Sequence, residues 1–223
     1  MIKFYFHSTP NPMKIALFLE ETGLPYELVP VDTLKGEQHL PSFRAVNPNG
    51  KTPAIQDGGV RVFDSTAILL YLSEKTGKLG GSVEDRAELL SWLMFIASGL
   101  GPYSGQAVHF RHMAPETVPY AVNRYLREAQ RHYQVLDDHL QGREYLVGTD
   151  YTIADIAAWG WIDRASVVLG EGELASYKNL HRWFQAIDVR PAVARAREVG
   201  KDIDFKSEQD EAALRALFPS NYL

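Results

Sequence analysis

Short apolar runs alternate with helical periodicity in the first third of the chain. Four runs rich in β-branched and aromatic residues predict strands, at residues 2–6, 26–31, 53–56 and 60–63. Apolar residues at helical spacing predict helices at 13–21 and 64–76. Asp57-Gly58-Gly59 favours a hairpin between the last two strands. The order β-α-β-(α)-β-β-α predicts a small mixed sheet of the α/β class with helices on its faces.

The pattern changes at the glycine-rich segment 77–82, where we place a linker. Beyond it, almost every stretch has the period of a helix. The helices are expected at about 84–112, 115–140, 153–169, 177–188 and 191–199. The second domain is therefore predicted to be all-α.

The tail carries one more helical signal, in the segment DEAALRALF. It places Ala213, Leu214, Leu217 and Phe218 on one stripe, which predicts a short docking helix. The predicted domains are thus residues 1–78 and 84–199, and a C-terminal extension covers 200–223.

The segment TIAD, from Thr152 to Asp155, has the form of an N-terminal capping box with Asp in the usual Glu position. The helix that it begins, IADIAAWGWID, is apolar on nearly every side. We expect this helix to be buried and the motif to be a structural element.

Composition narrows the classes of partner. The net charge is -5 and the sequence pI is near 5.8, which disfavours a nucleic-acid partner. The opening MIKFYFHSTP lacks the apolar region of a secretory signal, and no uncharged apolar run of about 18 residues predicts a membrane span. A cytoplasmic protein is the expectation. The chain has no cysteine, which excludes disulfides, thiolate metal sites and a protein-borne redox pair.

The stretch STPNPMKIALFLEE joins a predicted strand to a predicted helix. Pro12 suits the first helical position, which makes Asn11 the expected N-cap, and Thr9 lies at the strand end near the same helix terminus. A hydroxyl, an amide donor and a helix N-terminus together favour a bound thiolate, since a free thiol has a pKa of about 8.5. The alternative is that Asn11 only caps the helix and Thr9 only ends the strand.

Lys51-Thr52-Pro53 introduces the third predicted strand. A cis bond before Pro53 would turn the main chain of Thr52 outward, where its N–H and C=O could pair with an extended peptide. The alternative is an ordinary proline on an edge strand.

Asp64 and Ser65 stand immediately before a predicted helix. Either of them could cap it. A helix N-terminus also suits a carboxylate, and a neighbouring aspartate suits an ammonium, so the pair matches the zwitterionic end of an amino acid. The two roles are compatible.

These stretches together resemble glutathione transferases. The first domain is similar to their thioredoxin-like domain and the second to their α-helical domain, over roughly residues 2 to 199. More narrowly, three segments resemble the bacterial Nu class and its fungal nitrogen-regulator relatives. They are TPNPMKIALFLEE, GEQHLPSFRAVNPNGKTPAI and FDSTAILLYLSEKTG. The likeness continues through HFRHMAPETVPYAVNRYLREAQRHYQVLDDHL and YTIADIAAWGWI.

The resemblance implies a glutathione site at the domain cleft of a homodimer. Thr9 and Asn11 correspond to the polar pair that faces the glutathione sulfur. Thr52 corresponds to the main-chain anchor before the cis proline, Pro53. Asp64 and Ser65 fall on the γ-glutamyl clamp, where relatives often have Glu-Ser.

For the other end of the ligand, the resemblance implies that Gln38 and Lys51 hold the glycyl carboxylate. Arg124 matches an arginine that reaches the ligand from the second domain. Tyr103 is a weaker candidate for the wall of the substrate pocket. His109 with His112, and His132 with His139, share helical faces, but no carboxylate cluster accompanies them, and no metal is expected.

The leading hypothesis is a glutathione-dependent disulfide-bond oxidoreductase, because Nu-class members characteristically act on disulfides with two glutathiones. One alternative keeps the site but conjugates electrophiles or reduces peroxides. Another is a non-catalytic, glutathione-binding regulatory protein, as the nitrogen-regulator relatives illustrate.

Overall fold

The computed structural model describes residues 1–222, with the main chain alone at Tyr222. The last residue of the predicted 200–223 extension, Leu223, lies outside the described residues. The chain divides into two compact units, one formed by Met1–Tyr71 with the segment from Arg195 onward, the other by Leu72–Ala194. The C-terminal extension thus joins the first unit. The boundaries at 78, 84 and 199 stay a prediction.

The first unit contains a four-stranded sheet of β1 (Ile2–Phe6), β2 (Tyr26–Pro30), β3 (Ala54–Asp57) and β4 (Val60–Phe63). Their order is β2-β1-β3-β4, with β1 parallel to β2 and β3 antiparallel to both of its neighbours. The predicted strands and the hairpin are confirmed. Three helices accompany the sheet: α1 (Pro10–Thr22), α2 (Pro41–Arg44) and α3 (Ser65–Thr76).

The prediction that Asn11 is the N-cap of α1 is wrong. The helix begins at Pro10, and extended Thr9 is the N-cap, whose carbonyl accepts from Met13 N at 3.2 Å. The reason is that Pro10 suits the first helical position as well as Pro12 does, so the first proline starts the helix. Asn11 therefore lies inside the first turn.

The second unit is helical, as predicted. Its elements are α4 (Arg86–Phe95), a π-helical turn (Ile96–Leu100), α5 (Gly101–His112), α6 (Pro119–His139), α7 (Ile153–Ile162), α8 (Ala165–Val168), α9 (Lys178–Asp188) and α10 (Pro191–Glu198), whose end passes into the first unit. The helix expected over 153–169 is interrupted, because Arg164 leaves the helical region at φ -108° and ψ 18°.

The capping box before α7 is confirmed. The Thr152 hydroxyl accepts from Ala154 N, and the Asp155 carboxylate accepts from Thr152 N at 2.9 Å. All residues of α7 are buried. No helix among the described residues is long and apolar enough to span a membrane.

The predicted docking helix is α11 (Glu211–Leu217), and it packs on the 3-10 turn Thr33–Lys35 of the first unit. Ala213 is fully buried there. Asp32, only 4% exposed, anchors the segment because its Oδ2 accepts from Lys206 N at 2.8 Å. Sequence patterns indicated that the tail would dock; the structure identifies this turn as its partner.

Candidate functional site

The predicted binding residues of the first unit converge on one edge of the sheet. Ala54 pairs with Tyr5 of β1 and with Phe63 of β4. Pro53 precedes Ala54 and Asp64 follows Phe63, so both leave the sheet at this edge. Since β1 ends here as well, the segment that carries Thr9 enters the same region.

Thr9 is the residue at this edge that precedes α1. Its side chain makes no capping hydrogen bond with α1, although Thr9 is the N-cap. The main-chain N–H of Thr9 donates to the carbonyl of His7 at 2.7 Å. Asn11, the second residue of the helix, is partly buried. The hydroxyl of Thr9 is therefore not committed to the helix terminus.

The Thr52–Pro53 peptide bond is cis, as the sequence suggested it could be. Within residues 1–222, neither the N–H nor the C=O of Thr52 has a hydrogen-bond partner. The main chain of Thr52 is thus open to an added peptide. Asn47 holds the preceding loop, because its Nδ2 donates to the carbonyl of Lys51 at 2.6 Å.

A pocket of about 420 Å³ lies at this edge. Four of the predicted residues line it: Thr9, Gln38, Lys51 and Thr52. The opposite lining is the C-terminal segment from Leu217 to Asn221. The residues of the extension that the structure describes therefore form a wall of this pocket, a point on which the sequence was silent.

Asp64 and Ser65 are not among the residues that line this pocket; they follow β4 directly, at the N-terminus of α3. Asp64 has the unusual positive φ of 71°, and its Oδ1 accepts from Thr66 N at 2.8 Å and from Ala67 N at 3.2 Å. Its side chain therefore caps the helix. A non-glycine residue at positive φ is uncommon and often marks a functional site.

Ser65 is buried at 7% exposure, and its hydroxyl oxygen accepts from Lys14 Nζ at 3.3 Å. Lys14 lies in α1 and is only 2% exposed. Burial lowers the pKa of Lys14 to about 8, and the nearby charge of Asp64 limits the decrease. Sequence reasoning missed this residue; the available signal was a lysine inside the apolar run PMKIALFL.

Gln38 is 4% exposed and forms a hydrogen bond with the C-terminal segment. Its Nε2 donates to the carbonyl of Ala216 at 3.0 Å, and His39 Nε2 is also 3.0 Å from that oxygen. The Oε1 of Gln38 is buried without a partner among the described residues. Since an amide oxygen cannot donate to a carboxylate, Lys51 is the better placed of the two for the glycyl carboxylate.

Arg124 and Tyr103 belong to the second unit. Arg124 Nη1 donates to Glu128 Oε1 at 2.7 Å, one turn further along α6. The ring of Tyr103 lies 5.1 Å from that of His132 and 6.4 Å from that of Tyr125. Their roles toward a ligand of the first unit stay a prediction.

The helical unit has a cavity of its own, of about 500 Å³. It is lined by Glu88 and Arg143, which form an ion pair at 3.1 Å, and it contains none of the predicted site residues. Charged groups that already satisfy each other make this a weaker ligand site than the pocket at the sheet edge. Among residues 1–222, no group of three or more His, Cys, Asp or Glu side chains could hold a metal ion.

Comparison with known families agrees with this architecture. The family model for the glutathione S-transferase N-terminal domain matches residues 1–74, and that for the C-terminal domain matches residues 119–186. Together they cover more than half of the chain. The chain belongs to the glutathione S-transferase family. The predicted fold, a thioredoxin-like domain followed by a transferase-type helical domain, is confirmed.

A relative from Escherichia coli (strain K12), named disulfide-bond oxidoreductase YfcG, is 46% identical over 204 residues, which are 88% of this chain and 94% of that protein. A glutathione transferase homologue from Lodderomyces elongisporus, solved with two glutathiones per subunit, is 36% identical with a TM-score of 0.83, covering 89% of this chain and 98% of that one. The glutathione transferase from Pseudomonas putida, solved with one glutathione disulfide per subunit, is 34% identical with a TM-score of 0.82, covering 89% and 91%.

Proposed function

We propose that this transferase is a glutathione-dependent disulfide-bond oxidoreductase. The observation that carries the proposal is the pocket at the sheet edge, which is lined by Thr9 and by Thr52, whose main chain is unpaired within residues 1–222. The 46% identity to a relative named disulfide-bond oxidoreductase supports the choice of reaction.

Glutathione is a peptide with an ammonium and a carboxylate at one end and a second carboxylate at the other. In the proposed pose, Thr52 N–H and C=O pair with the central cysteinyl residue as an added strand would. Asp64 faces the γ-glutamyl ammonium and Ser65 the γ-glutamyl carboxylate. Lys51 holds the glycyl carboxylate, while Gln38 mainly ties the tail to the pocket.

The sulfur of the bound glutathione then lies near Thr9 and Asn11. A donated hydrogen bond stabilises a thiolate more than a thiol, and so does the positive end of a helix dipole. Lowering the thiol pKa by one unit requires about 1.4 kcal/mol of preferential stabilisation. The Thr9 hydroxyl, the Asn11 amide and the N-terminus of α1 are together sufficient for about one to two units.

The chemistry needs two thiols, and this chain has no cysteine to supply either. The thiolate of one glutathione attacks a sulfur of the substrate disulfide and forms a mixed disulfide. The other substrate sulfur leaves as a thiolate and takes up a proton. A second glutathione thiolate attacks the glutathione sulfur of that intermediate and releases glutathione disulfide and the other substrate thiol. Two glutathiones per subunit in the Lodderomyces homologue support this stoichiometry.

The roles of Arg124 and Tyr103 are part of the same proposal. Arg124 is assigned to glutathione binding, and Tyr103 to the wall of the substrate pocket. The proposal also includes a homodimer in the cytoplasm, a compartment where glutathione keeps thiols reduced. The dimer is tested by light scattering of the purified protein; a monomeric mass at all concentrations contradicts it.

Turnover of hydroxyethyl disulfide by glutathione tests the reaction. The wild type is expected to exceed the uncatalysed rate clearly, and Thr9→Val and Asn11→Ala should each lower kcat/KM by about tenfold or more, the effect of losing one hydrogen bond to a charged group. Ser8→Ala, which removes the exposed neighbouring hydroxyl, is the matched control and should leave turnover unchanged.

Two results would overturn this assignment. One is a wild-type rate equal to the uncatalysed rate while glutathione still binds, which points to a non-catalytic binding protein. The other is conjugation of an aryl halide far faster than disulfide reduction, which points to electrophile chemistry in the same pocket.

A further inference from the structure

Lys14 occupies a position that helix packing does not explain. It lies among eight consecutive buried residues of α1, from Pro12 to Leu19, and its own side chain is 2% exposed. Burying an ammonium removes its hydration, and lysine is almost never fully buried unless a partner compensates. An aliphatic side chain of similar length would fill the same space without that loss.

The partners that Lys14 has in the protein are few. The ammonium has three N–H donors, yet its one hydrogen bond within the described part of the chain runs to Ser65 Oγ at a long 3.3 Å. The nearby carboxylate of Asp64 interacts through its charge, but that side chain is exposed and its Oδ1 caps α3. The positive charge is thus incompletely neutralised in the free protein.

Ser65, at the N-terminus of α3 and outside the residues that line the pocket, is the hydrogen-bond partner of this charge. Because its hydroxyl oxygen accepts from Lys14, the hydroxyl proton is directed away from Lys14. The main-chain N–H of Ser65 also has no partner within residues 1–222, since Asp64 caps the next two amides. Ser65 therefore presents two adjacent donors at the N-terminus of a twelve-residue helix.

We propose that Lys14 is a positioning residue that orients the Ser65 hydroxyl toward the γ-glutamyl carboxylate of glutathione and supplies the buried positive charge behind it. This inference rests on the proposed function. Two adjacent donors match the two oxygens of a carboxylate, and an anion bound there adds a second charge partner, in addition to Asp64, for the buried ammonium. A neutral ligand group would leave the ammonium as poorly compensated as before.

Calorimetric titration of the full-length protein tests the proposal with two ligands. One is glutathione, and the other is γ-aminobutyryl-cysteinyl-glycine, which lacks only the α-carboxylate of the γ-glutamyl residue. Lys14→Met keeps the shape of the side chain and removes its charge. It is expected to weaken glutathione binding about tenfold or more, and to change binding of the decarboxylated analogue less than about twofold.

A double-mutant cycle shows whether Lys14 acts through Ser65. The loss caused by Lys14→Met should shrink to less than about threefold when it is measured in the Ser65→Ala background, because the group that it orients is gone. Lys14→Gln keeps a neutral donor to the hydroxyl and should bind glutathione with an affinity between those of the wild type and Lys14→Met. It also provides a second variant if Lys14→Met does not fold.

Each contrary result separates this inference from the proposed function. If wild type and Lys14→Met bind glutathione equally, the inference fails and the proposed function stands. The positioning role is also overturned if Lys14→Met lowers the affinity for both ligands equally. The same holds if Lys14→Met lowers the affinity for glutathione as much in the Ser65→Ala background as in the wild type. If the wild type binds no glutathione, the proposed function fails and takes the inference with it.

Discussion

Lys14 and Asp155 are both charged side chains within buried stretches of helix that are otherwise apolar. Asp155 is fully buried and accepts four hydrogen bonds, from Leu146 N, Thr152 N, the Thr152 hydroxyl and Trp183 Nε1, at 2.9 to 3.3 Å. Lys14 donates one, at 3.3 Å. The protein thus uses the full hydrogen-bonding capacity of Asp155 but not that of Lys14, although burial also raises the pKa of Asp155 to about 6.

The difference separates a structural polar group from a functional one. The carboxylate of Asp155 ties the start of α7 to the loop before it and to Trp183, so every lone pair contributes to the fold. The ammonium of Lys14 contributes little to the fold, because most of its capacity to donate is unused. A buried charge with unused hydrogen-bond donors destabilises the free protein. Such a residue is expected at a site where a bound ligand interacts with the charge.

The largest effect is expected from Asp155→Ala. It leaves the N–H groups of Leu146, Thr152 and Trp183 buried without an acceptor, at about 1–3 kcal/mol for each group. We expect the free energy of unfolding to fall by about 4 kcal/mol, measured by urea denaturation. The matched control is Asp150→Ala, which removes an exposed carboxylate and should change stability by less than about 0.5 kcal/mol. Equal effects of the two substitutions would contradict the contrast.

The next effect has the opposite sign. Lys14→Met should raise the stability of the ligand-free protein at pH 7 by about 3 kcal/mol, because the pKa of Lys14 falls from 10.5 to about 8 on folding and each unit corresponds to about 1.4 kcal/mol. Thermal unfolding without glutathione measures the gain. Lys3→Met, at an exposed lysine of β1, is the control and should have little effect. A less stable Lys14→Met protein would show that the ammonium is compensated after all.

The smallest difference is expected at high pH. Between pH 8 and 10.5 the unfolded chain binds a proton at Lys14 that the folded chain has lost, so wild-type stability rises with pH across this window relative to that of Lys14→Met. The advantage of Lys14→Met should therefore shrink from about 3 kcal/mol at pH 7 to less than about 1 kcal/mol near pH 10.5. Paired urea denaturations at the two pH values measure it. A constant advantage would mean that packing, and not charge, separates the two proteins.

Some elements of the fold and of the candidate site could be predicted from sequence because they are local. The cap at Asp64, the proline after Thr52 and the capping box of Thr152 with Asp155 each depend on residues within a few positions of one another. The start of α1 was misplaced by two residues, since Pro10 and Pro12 both carry the signal of a first helical position. The break after α7 was missed because its apolar pattern continues across Arg164.

Local sequence patterns were enough to predict the strands, the helical character of the second unit, the capping box of α7 and the absence of a protein thiol, because these follow from short-range periodicity, turn chemistry and composition. Long-range packing brings Lys14 to Ser65, 51 positions away, and Gln38 to the carbonyl of Ala216, 178 positions away. Such contacts depend on how distant segments pack once the chain is closed, and no local pattern encodes which buried lysine is left with a single partner.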